Sequence, residues 1–419
     1  MGRGRTRLAA QTLDVATAID DGAFTSYQKF VIAATASMIV LDGMDGQLLA
    51  NAIPSMMREW SVARTAFATA SAAAPFGMML GGVLGGMLGD RIGRRTALLG
   101  SVITFGALTL AASLVTTIPM LTLVRFAAGV GLGGAMPNAA ALVAELAPLR
   151  HRPLAISLTI VCIPLGGLLG GLLAGQIAPL YGWRALFVIG GLAPVVLALS
   201  LMKILPESPG FLRERRQSIG SIAALFVPEL RRDTVSLIVA FMSCLLAIWM
   251  GFLWIPAMLT DAAVGFAQAD ASYALSLFNF GGVAGAIAGA MVIQRFGSRL
   301  ALLGMTGLSI VAALVMAGLP PNTQAFFRTM LLFAVTGALM NAVQVTMYAL
   351  AAHVFPTAIR GTGVGTTVAF GRVGNVLASY VGSWVLVAGG PPLFFMTWAA
   401  ALTIVFAALA LIRRHIPRS

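Results

Sequence analysis

Four ionisable residues stand well inside long apolar runs: Asp42, Asp45, Arg125 and Arg372. Charge in apolar surroundings is costly and persists where it is paired or put to use. Asp42 and Asp45 are three residues apart, so on a helix their carboxylates project from nearly the same face. Two close carboxylates resist joint ionisation, which suits one of them to taking up and releasing a proton. The alternative is structural, with Arg125 neutralising one aspartate and the other wet at the helix end. Arg125 can be that counter-ion or meet a ligand. Arg372 has no acidic residue in its own half of the chain away from helix ends. Its planar guanidinium can clamp a carboxylate through two parallel hydrogen bonds; pairing with an aspartate of the first half is the competing reading. Asn341, Gln344 and Tyr348 form a polar stripe at i, i+3 and i+7, and Arg372, Asn375 and Ser379 form another. Such stripes suit an acid bearing ring hydroxyls, and they also stitch helices together. Trp249, Phe252 and Trp254 offer ring faces for stacking or for interfacial anchoring.

The elements that position these groups follow from composition. Of 419 residues, 59% are hydrophobic and 10% charged, with 47 glycines and a net charge of +13. A soluble domain carries about 25% charged residues, so this chain cannot cover itself in water. Apolar runs of about 20 residues in lipid are read as helices, because lipid-exposed backbone must satisfy its own hydrogen bonds. Twelve are expected, at 30–57, 66–89, 96–116, 120–146, 153–178, 184–204, 234–259, 270–294, 298–318, 324–351, 362–388 and 392–412. The arginine-rich stretch between Pro206 and Arg232 parts them six and six. The predicted organisation is a tail over 1–29, a six-helix bundle over 30–205, a central loop over 206–233, a second bundle over 234–412 and a tail over 413–419.

Basic residues set orientation, since they stay in the cytoplasm. With both termini inside, the inner segments hold 21 of the 27 Lys and Arg; Arg58, Arg64, Arg184 and Arg328 remain outside. An integral, multi-pass protein of a plasma membrane, the bacterial inner membrane, is expected, with the lipid bilayer as its surroundings.

The two halves echo each other. Residues 77–100 align without gaps to 281–304 with eleven of 24 positions identical, at an offset of 204. A second echo at an offset of 208 pairs Gly129 with Gly337, Pro148 with Pro356 and Arg152 with Arg360. Repeated six-helix halves are a signature of alternating-access transporters. The run Gly86-x-x-x-Asp90-Arg91-x-Gly93-Arg94-Arg95, repeated with Gln294 in place of Asp90, resembles the signature loop of the major facilitator superfamily. Asp42-Gly43-Met44-Asp45 in the first helix with Gly371-Arg372-Val373-Gly374 in the eleventh looks like its aromatic acid:proton symporter branch. Pro206-Glu207-Ser208-Pro209 is shared with sugar porters, and Asp45-Gly46 stands where the branch commonly has Asp-Thr.

The resemblance implies an all-α membrane fold of twelve helices in two pseudo-two-fold-related bundles. It implies proton-coupled uptake of a small organic anion, an aromatic acid, by a chain working as a monomer. Asp42 and Asp45 would carry the protons. Arg372, Arg125, Asn341, Gln344, Tyr348 and Asn375 would bind substrate. Asp90, Arg91, Arg94, Arg95, Glu145 and Arg152 would form a cytoplasmic gate. A sugar or polyol carrier and a proton-driven drug exporter are the alternatives. No cofactor beyond the proton and no metal is expected: three His, with Cys162 and Cys244 in apolar runs, build no catalytic or metal set. No Gly-x-x-x-x-Gly-Lys run is present for nucleotide drive, and no basic stripe with interleaved aromatics for nucleic acid.

Overall fold

The computed structural model describes residues 24–148, 152–208, 222–356 and 359–416. The expected N-terminal tail to residue 23, Arg150, Arg213, Arg215, Arg216 and the last three residues lie outside them, as do the side chains of Asp90, Arg152 and Arg360. Regular structure among the described residues is helical throughout. Helix α1 is Ser26–Trp60, α2 Phe67–Ile92, α3 Arg94–Ala112 and α4 Ile118–Leu146. The stretch Arg152–Leu201 breaks at Gly182 (φ 76°, ψ 175°), which separates α5 (152–181) from α6 (183–201). Then come α7 Pro228–Leu259, α8 Gln268–Phe296, α9 Ser298–Gly318 and α10 Phe326–Val354. Arg360–Leu411 breaks at Gly389 and Gly390 into α11 (360–388) and α12 (391–411). Both breaks use a glycine with positive φ, which a side chain would oppose, and Pro391-Pro392 then suits the first turn of α12.

Among the described residues, twelve α-helices therefore stand where twelve apolar runs were expected, with altered ends. Helix α1 starts at Ser26 because Thr25 and Gln28 form a capping box, the Gln28 N–H donating to Thr25 Oγ1 at 3.2 Å and the Thr25 N–H to Gln28 Oε1 at 2.9 Å. Helix α7 starts at Pro228, inside the segment expected to be loop, with proline in its first turn and Glu229 beside it. Asp233 is buried there and accepts a hydrogen bond from the Arg413 N–H at 2.9 Å, fastening the chain after α12 to the start of α7.

Among the described residues, nine helical stretches are long and apolar enough to cross a membrane, two of them the broken pairs. Helix α1 is not among the nine; Asp42, Asp45, Gln47 and Asn51 interrupt its apolar run.

The sequence repeat is also a packing repeat. Helices α2 and α4 approach so closely that a methyl group on Gly81 would sit 2.0 Å from the Val130 carbonyl oxygen. In the second half, one on Gly285 would sit 1.9 Å from the Ala338 carbonyl oxygen of α10. These are the same contact shifted by the two sequence offsets. Helix α1 packs on α5 through Gly43 and Ile163 as α7 packs on α11 through Met242 and Gly374. Exposure repeats too: Phe76, Val83 and Met87 of α2 and Phe280, Ile287 and Met291 of α8 are all exposed. An apolar surface of this kind belongs against lipid.

Candidate functional site

The four membrane-depth charges separate into two groups. Asp45 is fully buried, with Oδ2 3.1 Å from Arg125 Nη1 and Oδ1 accepting from the Thr109 hydroxyl. One carboxylate thus ties α1 to α3 and α4. Arg125 is 2% exposed, and its Nε has no partner among the described residues.

Asp42, one turn along α1, is buried and lies within electrostatic reach of Asp45 and, from the other half of the chain, of Arg372. Arg372 makes no hydrogen bond or ion pair within contact distance among the described residues; its charged or polar neighbours are Asp42 and Tyr348. The Tyr348 ring meets Phe241 of α7 edge-on at 5.1 Å, and Gln344 reaches its hydroxyl. Asp42, Arg372, Tyr348 and Gln344 therefore gather between the halves. Asp45 stands paired with Arg125, the arrangement that the structural alternative gave one of the two aspartates.

The remaining candidates divide as well. Asn341 is buried, donates to the Gly337 carbonyl of its own helix at 2.9 Å, and presses on Gly282 of α8. That is a helix-joining contact. Asn375, one turn from Arg372, is buried with Oδ1 lacking a partner, and Ser379 Oγ lacks one too.

At the arginine-rich end, two of the expected gate residues, Arg95 and Glu145, engage their own half. The Arg95 N–H donates to Glu207 Oε1 at 3.0 Å, and its guanidinium donates to the Met202 carbonyl. Ser208 donates its hydroxyl to Glu145. The turn between α2 and α3 is made by Gly93 at φ 101°, whose position against the Glu207 carboxylate leaves no room for a side chain. Arg91 is exposed and Arg94 lies beside Gly89. Glu207 and Ser208 were visible in the sequence as a motif without an assigned task; their task here is to hold that turn and α4.

Sequence reasoning missed the contacts that join the halves. Gln47 and Asn279 exchange two amide hydrogen bonds, of 2.9 and 2.7 Å, in the buried centre. At the arginine-poor end Gln268 Oε1 accepts from Ser55 at 2.7 Å and from Arg58 at 2.6 Å, while its amide donates to the Asn51 carbonyl at 3.2 Å. Arg64 donates to the Ala257 carbonyl at 2.9 Å and pairs with Asp261 at 2.6 Å. Burial alone would raise the Asp261 carboxyl, but the Ala263 N–H and the Arg64 guanidinium outweigh it and hold the group below its ordinary value. The arginine-poor end is thus latched shut.

A narrow cavity remains between the halves, walled by Gly46, Ser71, Pro75 and Arg125 on one side and Trp249 and Leu253 on the other. It has room for about one water-sized sphere.

Comparison with known proteins places this arrangement. The 4-hydroxybenzoate transporter PcaK of Pseudomonas putida is 30% identical over 408 residues, covering 90% of each chain. The 3-(3-hydroxy-phenyl)propionate transporter of Escherichia coli is 34% identical over 319 residues, 76% of each. In fold, a solved D-xylose-proton symporter superposes with a TM-score of 0.70 at 21% identity, over 94% of this chain and 99% of that one. The family description Major Facilitator Superfamily matches residues 35–321 and 256–419. Covered by that match from the first third of α1 to residue 419, the chain belongs to the major facilitator superfamily and is a multi-pass membrane transporter rather than an enzyme.

Proposed function

We propose that this transporter takes up an aromatic carboxylic acid together with protons by alternating access. The arginine-rich end faces the cytoplasm of a bacterial inner membrane, and one chain forms the pathway. The observation that carries the reading is the half-buried Arg372, within electrostatic reach of Asp42 across the halves and without a direct bond to it. Arg372 shares its charge with Asp42 when the site is empty of substrate. Protonation of Asp42 releases the guanidinium, which then clamps the substrate carboxylate by two hydrogen bonds. Coupling follows because one cation at membrane depth cannot be balanced by two anions without excess charge. The membrane potential, inside negative, opposes anion entry by about 2.3 kcal/mol per charge per 100 mV, and each cotransported proton offsets one charge. Asn375, Ser379, Gln344 and Tyr348 line the approach to Arg372 and supply further donors and acceptors. Asp45 and Arg125 hold α1 in place for this exchange.

The relatives named above carry 4-hydroxybenzoate and a hydroxyphenylpropionate in their names, both aromatic acids; the gallate transporter of Pseudomonas putida, 29% identical over 440 residues, adds a third. The test is uptake into proteoliposomes of labelled aromatic acids against sugars, with and without an imposed proton gradient. Gradient-dependent accumulation of an aromatic acid is expected. Accumulation of sugars alone, or uptake indifferent to the gradient, would refute the proposal.

A further inference from the structure

Helices α8, α9 and α10 leave an apolar groove of about 460 Å³ on one side of the second half. Gly285, Gly289, Ala338 and Ala342 line it from α8 and α10 with side chains too small to fill it. From Gly285 to Phe296 it follows α8 for about 16 Å, half the ~30 Å thickness of a hydrocarbon core, and it reaches the arginine-rich end of the molecule. Phe296, Leu300 and Leu308 are exposed along it, so it opens toward lipid. Protein packing leaves few gaps larger than a water molecule, and a gap of this size facing a bilayer takes in what surrounds it. At its mouth stand two exposed cations, Arg295 and Arg299. The Arg295 guanidinium lies 5.6 Å over the Phe296 ring, and Arg299 sits in the first turn of α9. Among the described residues, neither makes a hydrogen bond or an ion pair with the protein. Asp233, within electrostatic reach of His415 beside Arg299, is buried and takes the Arg413 N–H instead.

The matching turn of the first half is built differently. There Arg95, at the position of Arg299, sets its N–H on the Glu207 carboxylate, and Asp90 stands where the second half has Gln294. Thr96, Ser101 and Thr104 stand where Leu300, Met305 and Leu308 line the groove. The second half thus has an apolar wall beneath cations that no carboxylate contacts among the described residues. We infer that the groove binds an anionic phospholipid of the leaflet at the arginine-rich end, with one acyl chain between α8, α9 and α10 and the phosphate between Arg295 and Arg299. Guanidinium groups pair with phosphate through charge-assisted, forked hydrogen bonds, and basic pockets between membrane helices select such headgroups. A zwitterionic lipid brings the same phosphate together with a cation that the arginines repel. A second copy of the chain is the weaker occupant. Seated here about a two-fold axis along the membrane normal, it would set these arginines level with their own counterparts, like charge facing like charge.

The experiment adds equal amounts of phosphatidylglycerol and phosphatidylcholine to the purified, delipidated protein in detergent and reads the bound lipid by native mass spectrometry. The parent is expected to retain one phosphatidylglycerol with about tenfold preference. Arg295→Ala combined with Arg299→Ala should bring that preference close to one. Lys29→Ala combined with Lys203→Ala, two exposed cations at the same end of the first half, should leave it unchanged. Gly304 lines the groove with nothing within 4 Å of where a side chain would begin, so Gly304→Phe fills the groove without displacing protein. That variant should lose the bound lipid of either kind. Gly100→Phe, at the matching and equally open position of the first half, should keep it. No preference in the parent, a preference that survives loss of both Arg295 and Arg299, or an equal loss in the Lys29 and Lys203 variant would overturn the site. So would lipid retained alike by the Gly304 and Gly100 variants. A dimer of the parent that Gly304→Phe dissolves would give the groove to a second copy and overturn it as well.

Discussion

At the scale of single residues, Asp42 and Asp45 have different neighbours and should fail differently. Asp45→Asn removes the counter-ion of a guanidinium that is 2% exposed. Breaking one side of a buried pair costs about 3–5 kcal/mol, so thermal unfolding in detergent should show a large loss of stability along with lost transport. Asp42→Asn breaks no direct bond to Arg372, and that variant should remain folded. It should lose gradient-driven accumulation while retaining substrate exchange across the membrane; retained accumulation against a gradient would remove Asp42 from coupling. Arg372→Lys keeps the charge but not the planar two-bond fork, and Kd for the acid should rise about tenfold or more. An unchanged Kd would place the carboxylate elsewhere.

At the scale of helices, most of the architecture was legible in the chain. Apolar runs marked the spans because lipid forbids unsatisfied backbone, and Gly182 and the Gly389-Gly390 pair ended two of them. The start of α7 was not legible, since Arg231, Arg232 and Asp233 read as linker until Asp233 finds the Arg413 backbone. Gln47 with Asn279 and Arg64 with Asp261 were illegible for another reason: their partners are 232 and 197 residues apart, and each alone looks like an ordinary polar side chain. Close packing gives the prediction at this scale. A methyl group on Gly43 would meet the Ile163 carbonyl oxygen at 2.2 Å, backbone that cannot give way. Gly43→Ala should therefore cost about 1–3 kcal/mol of stability. Gly100→Ala, with nothing within 4 Å, should be neutral or slightly stabilising through helix propensity. Equal melting temperatures for the two variants would contradict the α1–α5 contact.

For the whole molecule, the latch at the arginine-poor end holds one conformation. Arg64→Ala removes both the Asp261 pair and the bond to the Ala257 carbonyl. Partly exposed pairs are weak, so the open population should rise only about two- to fivefold, read as faster labelling of a Leu49→Cys variant from that side. No change in labelling would mean the latch contributes nothing to closure. The Asp261 carboxyl is held below its ordinary 3.8. A depressed acid contributes its share above the ordinary value and loses it as pH falls through the lowered one. Across about pH 5–8 the latch is constant by this reasoning, so a pH dependence of transport in that window arises elsewhere in the molecule.

Helix α1 is the first segment of this fold to leave the ribosome, yet it is not among the stretches apolar enough to cross a membrane by composition. The group that neutralises Asp45 arrives 80 residues later, on α4. Helix α1 should therefore settle stably in lipid only once α4 has entered beside it and paired Arg125 with Asp45. Truncations ending before Arg125 should leave a single cysteine at Leu49 open to a water-soluble maleimide, and those ending after Leu146 should protect it.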